Sequence, residues 1–150
     1  MDLLDRSTVG TYVKRLKALE PDRRPEFGRL TATRMMRHLR HTVEVSLGEV
    51  AEEDRSNFFT REVFRLLFFH LVTRWPGGKI KAPDNWTPEP EGDFAFEQKK
   101  LIEAMERFAD SEKCDPHRKT VSPLLGPITL DYWRNVHGVH FSHHFRQFGL

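Results

Sequence analysis

Apolar residues recur three and four positions apart in separate stretches of the chain, the period of a helix that buries one face. Val9, Val13, Leu16 and Leu19 form the first such set, and Pro21 with Pro25 ends it, so a helix is expected over residues 4–19. After a turn at Phe27-Gly28, Thr31 or Thr33 can cap a second helix that carries Met35, Leu39, Val43 and Leu47 on one face and stops at Gly48. A shorter piece, 58–73, is dense in Phe and Leu and reads as a buried helix. Pro76, Pro83, Pro88 and Pro90 then break regular structure and make 75–92 the long loop of the domain.

Asp93 is placed to cap a further helix bearing Phe94, Leu101, Met105 and Phe108. A second irregular stretch, 114–127, leads to Thr129 as the cap of a last helix that runs to Phe148, with Gly149 as its stop signal. Strand-like alternation and internal repeats are not evident. Four main helices and a short one predict a single all-α bundle domain over 1–150.

Composition narrows the function classes. At 38% hydrophobic and 31% charged residues the chain can build one core and is not disordered. Its 24 basic and 22 acidic residues are interspersed, and a net charge of +2 gives no reason to expect nucleic acid as a partner. Arg34, Arg37, Arg40 and Glu44 lie opposite the apolar arc of the second helix and read as a solvated face. The lone Cys114 rules out an intrachain disulfide and suits a reducing compartment; in a polar loop it reads as incidental rather than nucleophilic. Residues 1–7 carry Asp2, Asp5 and Arg6 and do not resemble a signal peptide, while 63–72 is too short to span a bilayer and contains Arg65 and His70. The expected location is the cytoplasm, without membrane attachment. Gly77-Gly78-Lys79 lacks the spacing of a phosphate loop and reads as a turn.

The candidate chemistry is in the last helix, where His137, His140, His143 and His144 account for half of the eight histidines. On a helical wheel Trp133, Val136, Phe141, Phe145 and Phe148 fall on one arc, with His144 near its middle and His137 and His140 on either side. Gln147 lies below His140. Imidazoles aimed at a core must find partners, since an unpaired buried nitrogen costs about 1–3 kcal/mol. Core histidines bonded to carboxylates on neighbouring helices are the plain solution. Two neutral histidines four apart favour the other, a shared metal ion. His143, at the edge of the arc, is placed to support a ligand or meet solvent. Another helix must complete the coordination, and of His38 and His41 the periodicity of the second helix prefers His38.

Met35-Met36-Arg37-His38-Leu39, in a helix ending at Gly48, and the C-terminal run from His140 through Phe141, Ser142, His143, His144, Phe145, Arg146, Gln147 and Phe148 to Gly149 resemble the histidine motifs of the DinB/YfiT-like superfamily. The likeness is closest to a branch known as a domain of unknown function, matched also by Phe27-Gly28, Trp75-Pro76, Pro123-Leu124-Leu125-Gly126 and Trp133. Ser122 stands where that branch often has histidine, and Phe27 where tryptophan is common. The resemblance implies a DinB-like four-helix bundle with metal ligands at His38, His140 and His144, supported by His137, His143 and Gln147. It further implies a thiol S-transferase or hydrolase in which a divalent ion activates a thiol or water for a small-molecule substrate. Zinc is the first choice, with nickel, iron and manganese as alternatives. The rival is a non-enzymatic, stress-related metal-binding bundle in which the ion braces the fold, and a homodimer is open in both. Bis-histidine haem ligation is weaker, because both ligands of the last helix share one face and the haem-attachment cysteines are absent.

Overall fold

A computed structural model describes residues 3–66 and 92–150. Among these it contains five helices and one two-stranded hairpin, in the order α1 (Val9–Lys17), α2 (Ala32–Leu47), α3 (Phe58–Leu66), α4 (Phe94–Cys114), β1 (Lys119–Ser122), β2 (Gly126–Thr129) and α5 (Leu130–Gln147). The architecture is the expected helical bundle. The expected continuation of α3 to residue 73 and the loop at 75–92 lie, apart from Gly92, outside the described residues.

The helix boundaries follow from local chemistry. Thr31, rather than Thr33, caps α2, its hydroxyl accepting from Arg34 N at 3.3 Å, and Gly48 closes the helix in the left-handed region at φ 76°. Asp93 caps α4 through Phe96 N at 2.7 Å, and Thr129 caps α5 through Tyr132 N at 3.3 Å. Helix α1 is shorter than the apolar period suggests. The Asp5 carboxylate accepts from Ser7 N at 2.8 Å and Thr8 N at 3.1 Å, forming a turn that delays the helix to Val9, although Leu4 and Leu19 on either side of it are buried all the same.

The hairpin corrects the expectation of an irregular 114–127. Ser122 pairs with Gly126 and Lys119 with Thr129 across a three-residue loop, 123–125. Gly126 sits at φ 71°, the left-handed conformation that three-residue hairpin loops need, and Ser122 Oγ accepts from Leu125 N at 3.3 Å. The hairpin is tied to both α2 and α5. Thr120 Oγ1 donates to the Ser46 carbonyl at 2.9 Å, one of the C-terminal carbonyls that α2 cannot satisfy internally, and Trp133 Nε1 donates to Thr120 Oγ1 at 2.8 Å.

The core lies between α1, α2, α4 and α5. Met35, Met36, Leu39 and Val43 of α2 meet Leu101, Met105 and Phe108 of α4 and the aromatic stripe of α5, where Tyr12 stands edge-on to Phe141 and Phe145. The charged side of α2 is not the solvated face that the pattern suggests. Arg40 Nε donates to Glu97 Oε2 at 2.8 Å and Arg40 Nη1 to Glu44 Oε1 at 2.9 Å, and Glu97 on α4 is only 3% exposed. Arg37 lies 3.9 Å from the same carboxylate. The two helices are thus joined by a partly buried ion network, and Arg37 and Arg40 are engaged within the bundle. No helix among the described residues is long and apolar enough to cross a membrane.

Candidate metal centre

Helices α2 and α5 bring together the three histidines that the sequence singles out. His38 projects from the second turn of α2, and His140 and His144, one turn apart, project from α5. All three side chains are buried, at 4%, 7% and 6% exposure. His38 Nε2 lies 2.8 Å from His140 Nε2, which lies 3.2 Å from His144 Nε2. One nitrogen of each ring falls within 4.8 Å of the other two. Nitrogens sharing a tetrahedral zinc ion at its usual bond length are about 3.3 Å apart, so the His38–His140 and His140–His144 separations are already close to that spacing.

The direction of the His144 lone pair can be followed from the backbone inward. Gln147 Nε2 donates to the Phe27 carbonyl at 2.8 Å, which turns its amide oxygen toward His144 Nδ1 at 2.9 Å. An amide oxygen only accepts, so Nδ1 of His144 carries the hydrogen and Nε2 presents its lone pair to the cluster. Gly28 permits this approach: it sits at φ 80°, and a Cβ there would run into Gln147 Nε2. Burial and the neighbouring imidazoles hold His140 well below the ordinary histidine range and push His144 down to about 3, so both rings are neutral near pH 7. A proton on His140 Nε2 would have to be shared between acceptors in two directions, whereas one cation among the three nitrogens takes all the lone pairs at once. Three neutral imidazoles are also a donor set typical of zinc and its first-row neighbours. The residues present therefore fit a divalent metal ion.

Residues 2–149 match the family described as "Protein of unknown function (DUF1569)". The chain belongs to the DUF1569 family. Comparison with curated proteins and with solved structures gave no match.

The other described histidines of this DUF1569 chain are placed differently. His41, one turn beyond His38, lies 3.2 Å from Glu52 Oε1, and His117 is exposed. His143 is half-buried, its ring edge-on to Phe27 at 5.6 Å and to His144 at 4.9 Å, so it flanks the cluster without joining it. His137 is completely buried yet belongs to another group: its Nε2 lies 2.8 Å from Ser46 Oγ, and its ring stacks on Trp133 with centroids 5.3 Å apart. Gln147 serves His144, three residues before it, and not His140 as the wheel suggests. No role for the Phe27 carbonyl, Ser46 or Thr120 follows from the motifs above. Among these, Ser46 had a visible signal, a polar residue at the centre of the apolar arc of α2. Cys114 is exposed and lies at the end of α4.

Proposed function

We propose that His38, His140 and His144 hold one divalent metal ion, zinc in the first instance, and that the protein is a metal-dependent enzyme of the DinB/YfiT-like type. The observation that carries this reading is the convergence of three imidazole nitrogens from two helices at spacings of 2.8 and 3.2 Å. When bound, such an ion supplies the Lewis acidity that brings a thiol or a water to its reactive anion near neutral pH.

The chain's own residues prepare the ligands. Gln147, held by the Phe27 carbonyl, fixes the tautomer of His144, and burial keeps His140 and His144 uncharged so that their lone pairs stay available. Three ligands leave room for an exchangeable fourth partner, which favours catalysis over a closed structural site. The reaction proposed is S-transfer or hydrolysis, with a low-molecular-weight thiol or a water as the nucleophile, carried out in the cytoplasm on a small electrophile.

A second reading is favoured by the origin of the ligands: the ion would join α2 to α5 and so brace the bundle. Chelation separates the two. Purified protein should contain one equivalent of metal by elemental analysis. Chelator treatment that leaves a cooperative melt supports the catalytic reading, and chelation that unfolds the chain supports the brace. Protein that neither retains metal nor takes it up on addition of Zn2+ overturns both.

A further inference from the structure

The polar cluster at the other end of the α2–α5 contact has no part in the chemistry above. Ser46 is fully buried and is held from two sides. Its carbonyl accepts from Thr120 Oγ1 at 2.9 Å. Its hydroxyl donates to the Val43 carbonyl at 2.7 Å, so toward His137 Nε2, 2.8 Å away, it can only accept. His137 therefore carries its hydrogen on Nε2. Its Nδ1 is buried and has no hydrogen-bond partner among the described residues. Trp133, one turn before His137 on α5, stacks on its ring and donates Nε1–H to Thr120 Oγ1 at 2.8 Å. Two adjacent turns of α5 thus reach the last turn of α2, one directly and one through the hairpin.

Leaving a buried imidazole nitrogen unpaired is a cost that an apolar residue in the same aromatic surroundings, between Trp133 and Phe108, would avoid. What histidine supplies, and an apolar ring could not, is a directed bond to one atom of α2. A bond of that kind sets the rotation and the advance of α5 against α2. His140 lies three residues after His137, and His38 eight residues before Ser46, which is about 12 Å along α2. The two cross-links, Ser46–His137 and His38–His140, together leave little freedom for one helix to slide on the other.

We propose that His137 is a positioning residue for the metal centre: with Ser46, Thr120 and Trp133 it forms a latch that holds α5 on α2 so that His140 and His144 meet His38. The latch rests on the metal reading given above but involves no ligand of its own. It makes metal affinity and coordination geometry depend on a hydrogen bond outside the coordination sphere.

The test uses Co2+ as a spectroscopic probe and Zn2+ competition for affinity, with thermal melts of the metal-free proteins alongside. His137→Phe keeps the aromatic bulk and removes the bond. It should melt near the wild-type temperature while binding Zn2+ about 10- to 100-fold more weakly, with a changed Co2+ visible spectrum. His137→Gln, whose amide can donate to Ser46 Oγ, should recover most of the affinity and the spectrum. If His137→Phe fails to fold, Ser46→Ala gives the same reading, since it deletes the acceptor and leaves the ring in place. Wild-type affinity and an unchanged spectrum in whichever of these two variants folds would overturn the latch. Parallel losses of affinity and melting temperature in both His137→Phe and His137→Gln would also overturn it, because a structural role alone then suffices. If wild-type protein binds neither ion, the metal reading itself fails and the latch with it.

Discussion

His137 and His140 are neighbours on one helix, both buried and both pushed toward the neutral form, yet they do different work. Burial alone lowers His137 to about 3, and its one directed contact is a serine hydroxyl. His140 is lowered by burial and then by four further imidazoles, and its Nε2 faces two nitrogens that cannot all be satisfied by hydrogens. Direction into the core is therefore not what marks a metal ligand. The mark is the partner: His137 Nε2 opposite a hydroxyl has an acceptor for its hydrogen, whereas three imidazole nitrogens opposite one another fit a cation.

The contrast is broken most severely by removing the imidazoles that face each other. His140→Ala and His144→Ala should each abolish stoichiometric metal binding, whereas His41→Ala and His117→Ala should keep it; equal metal content in all four, by elemental analysis, would erase the distinction.

Acid affects both kinds of histidine, and here the sign matters. The folded values of His137 and His144 lie near 3 and that of His140 well below 6.5, while the unfolded chain titrates near 6.5. Between these limits the unfolded state binds more protons. Stability is thus complete above pH 6.5 and falls as the pH drops through that window, by about 1.4 kcal/mol per unit for each such histidine. Metal-free protein should unfold on acidification well before its carboxylates are protonated. Loading with Zn2+ should shift the midpoint to lower pH, because protons must then compete with the ion for His140 and His144. Circular dichroism against pH, with and without chelator, reads both midpoints, and coincident curves would count against the ligands. The smallest effect is expected from Gln147→Leu, which removes the acceptor that orients His144 but no ligand. Zn2+ affinity should fall by about 10- to 100-fold at unchanged stoichiometry, measured by competition titration.

Much of this was legible in the chain, for identifiable reasons. Asp93, Thr129, Thr31 and Gly48 act within a few residues of themselves, so their roles as helix caps and stops can be read locally. The histidine cluster was visible because i, i+4 spacing and an apolar arc are both properties of a single helix. The hairpin was not. Its strands have four residues each, and neither alternates in burial along its length, so no period of two is present to be found. The fate of Arg40 was equally hidden: a wheel shows which way a side chain points, but that Glu97 waits there depends on how α4 lies on α2. The partner of Gln147 is hidden for the same reason, since the wheel places it beneath His140 while its amide reaches back three residues to His144.

His38 and His140 are separated by 102 positions in the chain, and their meeting depends on α2 and α5 being assembled. On the proposed metal reading, a ribosome must complete α5 before the three ligands can meet around an ion. Uptake, on that proposal, follows the assembly of α2 with α5 and draws on whichever cation surrounds the finished site.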